Sequence, residues 1–246
     1  MSEPDSSATP RASHEFLTTR WSLVLAAASA HPSASEALAT LCQAYWFPLY
    51  AFVRRKGYSL HDAQDLTQGF FSHLLEKQRL ASLTQDRGRF RSFLLVSLKN
   101  FLANEWHRSR AAKRGGQASF VFIDDQDAER RYQDEPTEHV TAEQIFDRRW
   151  ALTLLQRVLD SLRLEMSQAG KSAHFEALQF TLTGESGPSY AEIATQLQTS
   201  EGALKVFVHR LRDRYRSLLR EEIAHTVESN AEIDDELRHL VAALSS

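Results

Sequence analysis

The chain has 246 residues, 42% of them hydrophobic and 25% charged, which is enough to bury a sizeable core and to form two small domains. Its formal net charge of -3 excludes a bulk polycation, and its single cysteine, Cys42, excludes an intramolecular disulfide and is typical of a reducing cytoplasm. No apolar run approaches the roughly 18 residues that a membrane span needs, so we expect a cytoplasmic protein that does not contact a membrane.

The first 116 residues are predicted to form a disordered lead-in and then a helical domain. Residues 1–13 are small, polar and proline-containing, and such a segment cannot bury enough apolar surface to offset its ordering entropy. Over residues 14–116, apolar side chains recur at helical spacing between capping residues and glycines. The last segment is basic and stops at Gly115 and Gly116, which are typical helix terminators.

Helical patterning resumes after a segment of mixed character. Residues 117–140 combine a short apolar run with acids and Pro136, and they are predicted to be a linker. Residues 141–225 form the second predicted domain, and residues 226–246 form an acidic carboxy-terminal extension. Because the sequence shows no sustained strand alternation, the predicted fold class is all-α, with two helical domains and a final amphipathic helix.

Charge is distributed along the chain in four blocks of alternating sign. Residues 87–116 contain eight Lys or Arg and one acid, and residues 205–220 contain six and one. Residues 124–138 contain seven acids and two arginines, and residues 221–246 contain seven acids and one arginine. The modest net charge therefore hides two basic segments, which would attract nucleic acid or an acidic partner.

The second domain contains the pattern of two short helices joined by a tight turn. The first helix has one apolar face, formed by Tyr190, Ile193, Ala194 and Leu197. Ser200 is predicted to cap the second helix after a four-residue turn. Gln198 stands where such turns often have glycine, so we expect a turn without a left-handed residue. The pattern predicts a helix-turn-helix.

Basic side chains follow one side of the second helix. At about 100° per residue, four of them fall within about 60° of one another. These residues, which we name the basic stripe, are Lys205, His209, Arg212 and Arg216. A solvated helix face normally mixes signs, whereas this face is predicted to contain no acid. The stripe would attract phosphate through counterion release, so the helix is predicted to enter a DNA groove. The alternative is a basic surface helix that pairs with the acidic extension.

Separate stretches of the sequence resemble one known family in that family's order. "YAEIATQLQTSEGALKVFVHRLR" resembles region 4 of the RNA polymerase sigma factors of the extracytoplasmic-function group. "DAQDLTQGFF" and "GRFRSFLLVSLKNFLANEWHRSR" resemble region 2 of the same family, so the resemblance covers residues 40–116 and 141–225. With "TTRW", "FDRRWAL" and the acidic tail, the chain is similar to a subgroup that has a carboxy-terminal extension.

The resemblance implies a transcription initiation factor that directs core RNA polymerase to promoters. In the family, region 4 reads the minus-thirty-five element as duplex, and region 2 reads the minus-ten element and helps to separate its strands. The region 4 contacts would fall on Lys205, Val206, His209 and Arg210, to which we add Ser200 and, as phosphate contacts, Arg212 and Arg216. The region 2 contacts would fall on Lys99, Asn100, Asn104 and Arg108. The loop of residues 85–91, with Arg89 and Arg91, would cradle a flipped base.

Aromatic residues accompany these cations, and strand separation needs both kinds of group. Cations bind phosphates, and planar side chains stack on unpaired bases. Trp106 is a candidate for stacking, whereas Phe90 and Phe93 lie at helical spacing and are expected in the core.

The resemblance also implies protein partners. In the family, a polar face of region 2 binds the polymerase clamp, and here it would fall on Asp62, Asp65 and Gln68. An anti-sigma factor is a further possible partner. We expect a monomer, because two different basic helices suit one chain that spans two different promoter elements.

The acidic extension is predicted to contain one amphipathic helix. Its apolar positions are Ile233, Leu237, Leu240, Val241 and Leu244. Glu232, Asp235 and Glu236 are expected elsewhere on its surface. Alone the helix would be too short to be stable, so it must dock. It would either complete the second domain by packing or cover the basic DNA-binding face.

Two other classes of function compete with this interpretation. An enzyme is not expected, because the ten histidines scatter and no P-loop, GxSxG or CxxC motif occurs; no metal or cofactor is expected either. The stronger competitor is a helix-turn-helix regulator that binds DNA without polymerase. Such a protein needs one reading head, usually dimerised over a palindrome.

Overall fold

A computed structural model of the chain describes residues 34–75, 89–111, 125–133, 140–227 and 229–245. Every regular element in these ranges is helical, which confirms the all-α prediction. The α-helices in chain order are α1 (Ala34–Arg55), α2 (Leu60–Leu75), α3 (Phe90–Ala111), α4 (Asp125–Gln133), α5 (Ala142–Gln168), α6 (Ser172–Leu178), α7 (Phe180–Thr183), α8 (Tyr190–Gln196), α9 (Glu201–Ala224) and α10 (Ile233–Ser245). A 3₁₀ turn, Asn230–Glu232, precedes α10. The predicted disordered segment, residues 1–13, lies outside the described residues.

The helix α1 lies at the centre of the amino-terminal core. All of residues 44–53 are buried, so this stretch is enclosed on every side. Pro48 lies inside the helix, which the structure describes as continuous from Ala34 to Arg55. Large buried side chains from four helices fill this core, including Tyr50, Phe52, Phe70, Phe90, Phe146 and Trp150. The core therefore includes residues on both sides of the predicted linker.

The long helix α5 joins the two halves of the molecule. A capping box formed by Thr141 and Gln144 starts this helix, because the first amides of a helix have no intrahelical partner and need side-chain acceptors. Its first half packs against α1 and contributes Trp150 to the amino-terminal core. Its second half contributes Val158 and Leu162 to a separate cluster. The packing thus crosses the predicted boundary at residue 140, while the two-domain division itself stays a prediction.

The predicted linker contains a helix that docks on the amino-terminal core. In α4, Ala128 is buried and Tyr132, one turn later, packs against the same core. Glu129 accepts a hydrogen bond from Arg54 Nη2 at 2.8 Å and another from the Tyr50 hydroxyl. An i, i+4 apolar pair and one carboxylate therefore dock a helix where we expected a linker.

The acidic extension forms the amphipathic helix that its pattern predicts, and α10 packs against α5 and α9. Ile233, Leu240 and Ala243 join the amino-terminal core, so the helix does not simply complete the second domain. Two positions differ from the prediction, since Val241 is 60% exposed and Glu236 is fully buried. Among the helices in the described ranges, none is both long and apolar enough to cross a bilayer.

Candidate nucleic-acid interface

The predicted helix-turn-helix is formed by α8 and α9, and side-chain caps set the start of both helices. Ser189 Oγ accepts a hydrogen bond from the Glu192 N–H at 3.3 Å, and the Glu192 carboxylate accepts one from the Ser189 N–H at 2.8 Å. The Ser189 backbone N–H and then its hydroxyl hold the pKa of Glu192 below its usual value. Ser200 Oγ accepts from the Ala203 N–H at 3.2 Å, which confirms the predicted cap of α9.

The turn between these helices contains a left-handed residue. Gln198 has φ 51°, and in the described ranges it is the one non-glycine residue with positive φ. The Thr199 N–H donates to the Ala194 carbonyl at 2.9 Å, and the Gln198 N–H donates to the Thr195 carbonyl at 3.4 Å. This bonding ends α8 in the way that glycine usually does. Our expectation of a turn without a left-handed residue is therefore wrong, and Gln198 accepts a strain on the order of 1 kcal/mol.

Burial of one face of α9 decides which of its side chains face solvent. Leu204 and Val208 pack against Ile193 of α8, and the predicted buried positions are confirmed there. Leu211 and Leu218 continue the same face toward α5. At helical spacing, this places the basic stripe outside.

The four residues of the basic stripe are all exposed and line one recess. It has a volume of about 320 Å³, and Tyr190 and Val208 complete its lining. The Arg212 guanidinium donates to the Thr181 carbonyl at 3.1 Å, which ties that cation to α7. The recess therefore presents basic side chains along about three turns of one helix, where solvent exposure leaves them accessible to a polyanion.

One acid lies within the basic stripe, contrary to the prediction of a face without acids. Asp213 Oδ1 is 2.7 Å from Arg216 Nη1, and its Oδ2 is 3.0 Å from His209 Nδ1. The i, i+4 and i, i+3 spacings of these pairs could have been noticed in the sequence. Since all three side chains are at least half exposed, the pairs are weak and can be exchanged for other partners.

Val206 and Arg210 face a different part of the surface from the basic stripe. Both are exposed, and they line a recess of about 580 Å³ together with Phe207, Met166 and Lys171. The expected region 4 contacts therefore occupy two adjoining sides of α9, with Ser200 exposed at its first turn.

The arginines at the start of α3 are engaged inside the protein. Arg91 has a relative exposure of 7%, and its Nε lies 2.6 Å from Glu236 Oε1. Its Nη1 lies 2.9 Å from Asp147 Oδ1, and its guanidinium carbon lies 5.3 Å from the Trp150 ring centroid. Arg89 Nε lies 3.0 Å from Glu236 Oε2. The role assigned to these two arginines stays a prediction, and it would require these contacts to open.

Glu236 is therefore a buried carboxylate that holds two cations, not a surface residue of α10. Burying a charge is costly unless it is paired and hydrogen-bonded, and the two arginines provide both. The acidic extension meets the basic segment of α3 through this residue. It reaches α9 at Arg220, whose Nη1 lies 2.7 Å from Asp234 Oδ1. The basic stripe stays exposed, so α10 does not cover it, and the second of the two alternatives for the extension does not hold for this part of the basic surface.

The other expected region 2 contacts lie further along α3. Asn100 and Asn104 are exposed, and Lys99 Nζ lies 2.9 Å from Glu143 Oε1. That hydrogen bond is the main reason why the pKa of Glu143 lies below its usual value. Arg108 belongs to α3, but its side chain and the loop of residues 85–88 lie outside what the structure describes.

The three expected polymerase contacts lie on α2. Asp62 and Asp65 are exposed and Gln68 is half-buried, at successive i, i+3 positions of the helix. The Asp62 N–H donates to Ser59 Oγ at 3.2 Å, so Ser59 caps this helix. The spacing places two exposed carboxylates on one side of α2, and that of Asp62 accepts a hydrogen bond from the Ser59 hydroxyl at 2.7 Å.

Sequence reasoning missed the carboxylates that neutralise the basic segments. Asp147, Glu143 and Glu236 lie far along the chain from the cations that they contact, and no local spacing indicates these pairs. In the described ranges, no group of His, Cys, Asp or Glu is arranged to hold a metal ion. Comparisons of the chain with protein-family models, with curated proteins and with solved structures found no match.

Proposed function

We propose that this protein is a cytoplasmic transcription initiation factor that binds core RNA polymerase and directs it to specific promoters. The observation that carries the proposal is the basic stripe, since four exposed basic residues line one recess on the second helix of a helix-turn-helix. This geometry suits a helix that lies in the major groove while its flanking cations contact phosphates. The order of the region 2 and region 4 resemblances supports the wider role.

In this proposal the two halves of the chain read separate promoter elements. The α8–α9 pair would read the minus-thirty-five element as duplex, and α3 would contact the minus-ten element. The exposed amides of Asn100 and Asn104 suit base edges, and Lys99 suits a phosphate. An anti-sigma factor remains a possible partner of either half.

The direct test is run-off transcription with purified core polymerase. We expect promoter-dependent transcripts only when the protein is added, and a stable complex with core polymerase in size-exclusion chromatography. Failure to bind polymerase, with no transcripts from any promoter in a genomic library, would remove the proposal.

The polymerase surface can be tested by reversing one charge. Asp65→Lys should abolish binding to core polymerase, because an exposed carboxylate on α2 becomes a cation at the proposed contact. Asp235→Lys makes the same charge change on the exposed side of α10 and should bind polymerase normally. Circular dichroism should show an unchanged helix content in both variants. Equal affinity of Asp65→Lys and the wild type would exclude α2 from the interface.

A second candidate function is a helix-turn-helix regulator that acts without polymerase. The observation that favours it is the engagement of Arg89 and Arg91 with Glu236, which leaves the basic stripe as the more accessible cationic surface. Such a regulator would be a dimer on palindromic DNA. Analytical ultracentrifugation with and without a palindromic duplex distinguishes it from a monomer that binds polymerase.

A further inference from the structure

The recess of about 580 Å³ beside the start of α9 has an apolar lining, and we name it the α9 recess. Leu204 and Leu211 of α9 are buried there, while Phe207 of α9 and Met166 of α5 are half-buried. Met166 and Phe207 pack against the cluster that contains Leu211. The volume lies within the range of small-ligand sites, which combine an apolar interior with a few polar groups.

A glycine turn at the end of α5 brings a cation to this recess. Gly170 has φ 67°, in the left-handed region that glycine adopts without strain. The Lys171 N–H donates to the Met166 carbonyl at 2.8 Å, so the chain folds back over the last turn of α5. Lys171 therefore lines the recess together with Met166, and its side chain is exposed.

The charged side chains at the α9 recess are all basic. They are Lys171, Arg210 and Arg214, and none of the described residues that line the recess is Asp or Glu. Arg214 is neutralised by Glu165, whose Oε1 lies 2.6 Å from its Nη2. Lys171 and Arg210 make no ion pair with any residue in the described ranges. Two cations at this recess are therefore available to an anionic ligand.

This combination selects for a molecule with an apolar body and an anionic end. A guanidinium binds a carboxylate through two parallel hydrogen bonds, and a lysine ammonium binds it as a point charge. A purely apolar ligand would take water from the two cations without replacing it, which is costly. A cationic ligand would be repelled. A duplex phosphate could reach the exposed Arg210, but it would leave the apolar lining uncovered.

We propose that the α9 recess binds a small amphipathic carboxylate, an apolar molecule that ends in one carboxylate group. The carboxylate pairs with Arg210 and Lys171, and the apolar body lies against Met166 and Phe207. This site depends on the geometry of the recess and not on the proposed function.

The ligand has a consequence for DNA binding, and this consequence rests on the proposed function. Val206 and Arg210 line the recess and are also among the expected contacts to the minus-thirty-five element. A carboxylate bound to Arg210 neutralises a cation that a duplex would use. The ligand should therefore weaken duplex binding several-fold.

The first test varies the ligand and uses isothermal titration calorimetry on the full chain. Octanoate should bind at one site per chain, while octanol and acetate should bind at least tenfold more weakly, because each keeps only one of the two kinds of contact. 1-Naphthoate carries the same charge on an aromatic body, and tighter binding of either acid supports the proposal and identifies the body. Equal affinity for octanoate and octanol would overturn it.

The second test locates the site with two variants and a matched control for each. Met166→Trp fills the recess and should abolish octanoate binding, whereas Leu164→Trp, at a 57% exposed position of the same helix outside the recess, should not. Lys171→Ala should weaken octanoate binding about tenfold, as the loss of one charged contact does. Arg130→Ala, which removes an exposed cation of α4, should keep the wild-type affinity. Equal octanoate affinity in the two tryptophan variants would overturn the site.

The third test separates the recess from the proposed function. Octanoate should release a labelled duplex from the wild type and not from Met166→Trp, as fluorescence anisotropy measures. If octanoate binds but duplex affinity is unchanged, the competition at Arg210 is excluded and the site stands. If the wild type transcribes with polymerase but binds neither acid, the recess proposal fails and the initiation factor stands. If it binds octanoate but neither duplex nor polymerase, the initiation factor fails. Binding of an acidic amphipathic peptide in place of both acids would make the recess a protein-docking surface and overturn the proposal.

Discussion

The two basic segments of this protein differ in how their cations are paired and exposed. At the start of α3, Arg91 is almost fully buried and shares Glu236 with Arg89. On α9, the basic stripe is exposed, and its acid, Asp213, is half exposed as well. Two segments of similar composition therefore differ in what their cations can reach.

The difference shows that basic composition alone does not identify a binding surface. A buried cation held by a carboxylate contributes to the fold and leaves its place only at a large cost in free energy. An exposed pair is weak, so phosphate can replace the carboxylate at little cost. We can therefore test each region by breaking its pairs.

The largest effect is expected from removing the buried carboxylate. Glu236→Ala should lower the free energy of unfolding by about 3 kcal/mol, because the buried Arg91 and the partly exposed Arg89 lose their shared partner. Urea denaturation followed by circular dichroism measures it. Asp235→Ala, at an exposed position of the same helix, should change stability by less than about 0.5 kcal/mol. Similar losses in both variants would mean that α10 docks through its apolar side alone.

The basic stripe should respond in DNA binding and not in stability. On the proposed function, Arg216→Ala should weaken binding to all duplex sequences alike and reduce the salt slope by about 1, as the loss of one phosphate contact does. Arg212→Ala should behave in the same way. Arg163→Ala, which removes an exposed cation of α5, is the control and should keep the wild-type slope. Loss of sequence preference in Arg216→Ala would show that it contacts bases.

A substitution in the turn between α8 and α9 should raise the stability of the protein. Gln198→Gly should raise the free energy of unfolding by about 1 kcal/mol, since glycine adopts the left-handed conformation without strain. Ala191→Gly, at a helical position of α8, should instead lower it by about 1 kcal/mol. Thermal denaturation compares the two. A loss of stability in Gln198→Gly would indicate that the glutamine side chain makes a compensating contact.

At the pair that docks α4 on α1, the expected effect is a dependence of stability on pH. The hydrogen bond from Arg54 is the main cause that lowers the pKa of Glu129 from its ordinary value of 4.5. The folded state thus holds the charged form more strongly, so this stabilisation is complete above pH 4.5 and is lost as the pH falls through the lowered value. Glu129→Gln should be less stable than the wild type at neutral pH, and the difference should shrink as the pH falls. A difference independent of pH would contradict the pairing.

Much of the fold follows from signals within a few residues. The helical spacing predicts the helices of the helix-turn-helix, and the cap at Ser200 predicts the start of α9, because each signal depends on neighbours one turn away. The left-handed Gln198 was missed because the usual residue for that position is glycine, while the hydrogen bonds that close α8 are the same with either residue. The docked α4 was missed because its apolar side is only two residues wide.

The amino-acid sequence by itself determined the helical class, the limits of the helix-turn-helix and the outward direction of its basic stripe, because periodicity and capping act over one or two turns. Only the tertiary structure decided that Glu236 pairs with Arg91, which lies 145 residues away in the chain. It also decided that α5 packs into both the amino-terminal core and the separate cluster that contains Val158 and Leu162. Such pairs depend on how whole helices pack, and no local pattern carries that information.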